Sequence, residues 1–155
     1  MSVSLLNALT HYYTLVEDAT TDPDIAVPSE LNFMPSIGDD LESVIWVLLY
    51  AIMLHHQASL EGPRKANYKR KVPDNFYGTL SYSGLAEKRI FLAVTGINPH
   101  SHGPEAWIPD PVQRKWFRRA MALVAGQNMP TPDGSIIPIT FDAFDTLCDD
   151  FTTNE

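Results

Sequence analysis

The chain of 155 residues has a single cysteine, Cys148, and no Asn-x-Ser/Thr glycosylation acceptor. One cysteine excludes an internal disulfide framework and suits a reducing compartment. Residues 1–15 lack the basic start of a signal peptide, and no apolar run approaches the roughly twenty residues that a bilayer requires. The sequence therefore predicts an intracellular protein, cytoplasmic or nuclear, with no membrane partner.

Basic residues are absent from both ends of the chain. Residues 1–63 contain nine acidic residues and no Lys or Arg, and residues 120–155 contain six acidic residues and again no Lys or Arg. All eleven basic residues lie at 64–119 together with four acidic ones, so the formal net charge of −8 conceals a basic middle. The bases form no continuous run, which favours acidic ends folded back against the middle over a surface for an acidic or phosphate-bearing partner.

The most informative segment begins at Asp39. Either Asp39 or Asp40 can cap a helix, because an Asp side chain accepts hydrogen bonds from the free N–H groups of a first helical turn. Further along the helix, the eleven residues from Val44 to Leu54 carry no charge. A helix that is apolar on all sides is normally surrounded by protein. The pattern predicts a central buried helix from about 40 to 57, covered by other helices, in which a charge at Val47 or Leu48 would be costly.

This segment also resembles a known element. Asp-Asp-Leu-Glu-Ser followed by an apolar helix is similar to the central helix of the large lobe of protein kinases, in the form found in casein-kinase-like and fungal-type kinases. The resemblance covers 39–54 and, more faintly, 85–93. It implies a kinase large-lobe-like fold for 39–155, with a variable N-terminal helix and link at 1–38. The motif residues are Asp39, Asp40, Glu42 and Ser43, and in the family the Asp that matches Asp40 holds the catalytic loop.

The parts that perform phosphate transfer are missing from the sequence. No two glycines stand two apart, no lysine precedes residue 65, and no histidine begins a His-x-Asp loop. We therefore predict a non-catalytic binding protein without a cofactor, the remnant of a fungal-type kinase. Two alternatives stay open. The chain is part of an active ATP-dependent Ser/Thr kinase whose other motifs lie elsewhere, or it is an unrelated all-α interaction module.

The remaining pattern predicts a mainly α protein with one domain, 1–155. Periodic apolar residues predict helices at 4–16, 85–94, 111–125 and from 141 to 151. Asp110 before Pro111 is typical of a helix start, and Gly126 of a helix end. A turn at 132–134 favours a very short hairpin near 128–138. Residues 58–83 have no sustained period and are interpreted as a long basic surface connection.

One helix side carries a candidate interaction face. It consists of Arg114, Lys115, Arg118 and Arg119, which would suit an acidic protein partner. We predict a protein partner or self-association. Nucleic-acid binding is not predicted, because the three tryptophans do not alternate with the basic residues.

Metal and thiol chemistry are not predicted either. His55 and His56 would point about 100° apart on a helix and could not share a metal. The pair His100 and His102 with Glu105 lacks a second ligand pair. Cys148 stands beside acidic residues, which oppose thiolate formation and indicate a core cysteine.

Overall fold

A computed structural model gives the fold of residues 1–31, 33–71, 82–97 and 108–152. These residues form α-helices joined by loops, and no strand occurs among them, so the predicted mainly α class is confirmed. The helices of the described residues are α1 (Val3–Thr21), α2 (Ile37–Ser59), α3 (Gly62–Lys71), α4 (Tyr82–Ile97), α5 (Pro111–Asn128) and α6 (Phe141–Thr152).

The start of α2 differs from the prediction. Ser36, not Asp39 or Asp40, is the N-cap: its hydroxyl accepts from the Asp39 N–H at 3.2 Å, while the Asp39 carboxylate accepts from the Ser36 N–H at 2.8 Å. This reciprocal capping box satisfies two donors at once, so the helix begins three residues earlier than the predicted 40. Burial acts to raise the pKa of Asp39, but the hydrogen bonds from Ser36, Ser2 and Ser4 together outweigh it and hold that pKa below its ordinary value.

The main core lies between α5 and its neighbours. Asp110 caps α5 as predicted, with its carboxylate accepting from the Gln113 N–H at 2.8 Å. Gly126 does not end this helix, which continues to Asn128. The predicted apolar side of α5 is buried, together with the inward residues of α2 and Leu147 of α6. The buried residues of α5 are Trp116, Phe117, Ala120, Met121, Val124 and Ala125.

The N-terminal helix packs on the same body. Ser2 caps α1 by accepting from the Leu5 N–H at 3.2 Å. Val3 and Leu6 are buried against Ala86 of α4 and form a second, smaller apolar cluster. The helix runs five residues beyond the predicted end at Val16.

One predicted connection is corrected. The first part of the predicted surface connection is helical, because it contains α3. Tyr68 of α3 is buried, and its ring packs edge-on against the His56 ring of α2 with 4.9 Å between the ring centres. Residues 72–81 of that connection, and residues 98–107, lie outside the described residues.

The hairpin near 128–138 does not form. Thr131 and Ser135 close a turn, but the Ile137 N–H donates to the carbonyl of Gly126 on α5 at 3.0 Å instead of pairing with a strand. Three prolines in this stretch, at 130, 132 and 138, have no N–H to contribute to a ladder.

Candidate functional site

The outward side of α2 is an exposed and largely apolar surface. Every exposed residue of this helix falls within an arc of about 140° when successive residues are placed 100° apart. We call this surface the outer face of α2. Its residues are Ile37, Asp40, Val44, Val47, Leu48, Ala51, Leu54, His55, Ala58 and Ser59.

The outer face is apolar along almost its whole length. Val47 is 63% exposed and Ile37 is 57% exposed, and Val44, Leu48 and Leu54 are also exposed. Its two ionisable residues lie towards opposite ends, Asp40 in the first turns and His55 near the last. Single exposed apolar residues are ordinary, but a contiguous apolar patch marks a surface that binds another molecule.

This exposure corrects the prediction that other helices cover α2 on all sides. Only its inward side is buried, through Leu41, Ile45, Trp46, Leu49 and Met53. These side chains pack into the main core together with residues of α3, α4 and α5. The outer face therefore belongs to a helix whose opposite side is packed into the core.

Glu42 fixes α2 further. Its side chain is fully buried, at 0% exposure. One carboxylate oxygen accepts from the Val3 N–H of α1 and from the Trp46 indole, each at 2.9 Å. The other accepts from the carboxamides of Gln127 at 3.3 Å and Asn128 at 2.9 Å, both at the end of α5. Four donors from three helices thus converge on a single carboxylate.

Neighbouring groups complete this buried polar cluster. The guanidinium of Arg89 lies 4.8 Å from the centre of the Trp46 ring and donates to the carbonyl of Met1. Burial, then the nearby Arg89 charge, lowers the pKa of the Met1 amino group, and Glu42 opposes that shift only partly. Arg89 therefore ties α4 to the start of α1 beside Glu42.

Gly38 leaves room for the Gln127 side chain of this cluster. A Cβ atom there would overlap the side-chain carboxamide of Gln127. That carboxamide uses both of its ends, since its oxygen accepts from the Ile139 N–H at 3.0 Å and its nitrogen donates to Glu42. Because both oxygens of Glu42 are buried and hydrogen-bonded, this cluster holds α1, α2 and α5 in place.

The predicted interaction face on α5 does come together. Arg114, Lys115, Arg118 and Arg119 line one open hollow of about 450 Å³ with Pro111. Arg114 and Arg118 are half-buried along their length, whereas Lys115 and Arg119 are exposed. The side chains that line the hollow carry positive charge, but the geometry of the hollow does not define what it would bind.

The other candidate groups show no shared chemistry. His55 points outward on α2, while His56 turns to Tyr68, so the two histidines do not converge. Burial, with Asp145 and Asp149 adding to it, raises the pKa of the Cys148 thiol, as its acidic surroundings predicted. In the described part of the chain no three potential metal ligands gather, and His100, His102 and Glu105 lie outside it.

The described helices include none with the length and apolarity needed to cross a membrane. Comparison of the chain with known protein families, with curated proteins and with solved structures found no match. The resemblance of 39–54 to a kinase large lobe therefore stays a prediction.

The sequence predicted the helix that carries the site but not which of its sides is exposed. The 3–4 spacing of Val44, Val47, Leu48 and Ala51 was visible, yet the opposite side of α2 is equally apolar. Asp40 and His55 lie on the exposed arc, but Asp39 and Glu42 lie on the buried side, so the ionisable residues of α2 did not show which side faces solvent.

Proposed function

We propose that this protein is a non-catalytic protein-binding module whose docking surface is the outer face of α2. The observation that supports this most directly is the run of exposed apolar residues along that face, from Ile37 to Ala58. The other side of the same helix is packed into the core. A rigid apolar helix surface is suited to binding another helix or an apolar groove. The catalytic motifs missing from the sequence agree with a binding role.

The kinase-lobe ancestry is part of this proposal. Asp40 lies on the outer face and is exposed, whereas in the family the matching Asp holds the catalytic loop. A helix side that lost a covering catalytic loop would be left apolar and exposed, as the outer face is. This supports a remnant of the large lobe as the origin of the docking surface. A magnesium-dependent rise in the melting temperature with ATP would contradict the non-catalytic role, because a ligand that binds only the folded state stabilises it.

Site-specific photocrosslinking tests the docking surface. A benzophenone amino acid is placed at Val47 on the outer face, at Lys115 in the basic hollow, or at exposed Asp145 on α6, and the full chain is irradiated in its own host cells. We expect protein adducts from position 47 well above those from position 145, since a docked partner would lie within reach of Val47 alone.

The three positions separate the candidate surfaces. Adducts from position 115 with none from position 47 would overturn the proposal in favour of the basic hollow and an acidic partner. Equal, low labelling from positions 47 and 145 would also overturn it, because a docking surface must be occupied more often than an arbitrary exposed site.

A further inference from the structure

We propose that the occupant of the outer face is a second copy of this chain, docked as an antiparallel pair of α2 helices. The proposal deepens the proposed function and rests on the outer face being a docking surface. A two-fold interface uses the same patch twice, so the patch must be complementary to itself when its direction is reversed. The outer face of α2 has this property.

The complementarity follows from the order of residues along the face. With a two-fold axis level with the midpoint of Val47 and Leu48, Val47 meets Val47 and Leu48 meets Leu48 of the second copy, on the two edges of the face. On either side of this centre, Val44 meets Ala51 and Ile37 meets Ala58. Val44 and Ile37 then each face an alanine, which allows the two helices to approach closely.

Charge favours the same arrangement. Antiparallel pairing places the Asp40 carboxylate of each copy beside the His55 imidazole of the other. A parallel pair would place Asp40 beside Asp40, where like charges repel. Antiparallel helices also bring the positive end of each helix dipole next to the negative end of its neighbour. The two-fold axis repeats the Asp40–His55 pair, so each dimer contains it twice.

The size of the outer face sets the strength of the dimer. The face is about 30 Å long and about 10 Å wide, which gives about 300 Å² on each copy. A stable specific interface buries about 800 Å² on each partner. An interface this small is expected to give a weak dimer whose formation depends on concentration, and the transition is sought between low and high micromolar concentrations.

Sedimentation velocity of the purified full chain over that concentration range tests the proposal. The wild-type chain is expected to pass from monomer to dimer. Asp40→Lys removes the carboxylate that lies beside the imidazole and His55→Asp places two carboxylates together, so each should weaken the dimer about tenfold, counting both copies of the pair. The double variant, Asp40→Lys with His55→Asp, restores opposite charges and should return the dissociation constant to within about twofold of wild type.

Rescue by the double variant is the decisive outcome, since a fold defect or loss of an unrelated contact would not be repaired by a second charge change. Circular dichroism and melting temperature of each variant confirm that the helices are intact. A wild-type chain that stays monomeric throughout, or a double variant that dimerises no better than the singles, overturns the second copy as occupant. Cellular adducts from position 47 to a different protein would then preserve the docking surface while excluding self-association.

Discussion

Replacing Leu49 with glutamate is expected to abolish the folded state, whereas the same replacement at Val47, two positions away, leaves the melting temperature within about 5 °C of wild type. Leu49 is 1% exposed within the main core and Val47 is 63% exposed on the outer face. An unpaired carboxylate at position 49 would lose its hydration without gaining a partner, at a cost comparable to the whole stability of a domain, about 5–15 kcal/mol. At position 47 the carboxylate stays in water.

Thermal unfolding followed by circular dichroism measures both variants. Their helix position, charge change and side-chain size are nearly matched, so the difference reports burial alone. The central-helix prediction from sequence required a large cost at Val47 as well. Equal destabilisation by the two substitutions would show that α2 is buried on both sides and that the outer face does not exist as a surface.

Glu42→Ala is expected to lower the free energy of unfolding by about 3–5 kcal/mol, because removing one partner from a buried charged network leaves the others unsatisfied. The Val3 N–H, the Trp46 indole and the Gln127 amide nitrogen would lose this acceptor, and the Asn128 amide nitrogen would keep only its bond to the Val124 carbonyl. The truncated side chain would also leave a cavity where α1, α2 and α5 meet. Chemical denaturation measures the loss.

Two further variants interpret that measurement. Glu87→Ala removes an exposed glutamate from α4 and is expected to change stability by less than about 0.5 kcal/mol. Glu42→Gln keeps the side-chain shape but presents an NH₂ group to some of the four donors, so its loss should fall between the other two. A Glu42→Ala chain as stable as the Glu87→Ala chain would contradict the convergence of three helices on Glu42.

Local signals in the sequence predicted the parts of the fold that depend on local chemistry. Asp110 with Pro111 identified the start of α5, because both the cap and the fixed proline backbone act within one turn. The cap of α2 was also local but was misassigned: Asp39 and Asp40 both resemble N-caps. The Ser36-x-x-Asp39 spacing, three residues apart, was the available signal for a capping box.

The site depends on long-range packing and could not be predicted in the same way. The partners of Glu42 are 39, 85 and 86 residues away along the chain, apart from Trp46 in the next turn. Likewise, a helix with apolar residues on every side contains no polar stripe to show which side the core selects. The main helix that packs against the inward side of α2 is α5, which begins more than fifty residues after α2 ends.

Residue-resolved carbene footprinting of the purified chain tests the central claim most directly, because carbenes label any exposed side chain, including aliphatic ones. In dilute protein the account predicts strong labelling at Val47 and Leu48 and little at Leu49 and Met53, with the labelling of the first pair falling as the concentration rises. Labelling of Val47 and Leu48 as low as that of Leu49 in dilute protein would contradict the account, since the outer face of α2 would then be part of the core.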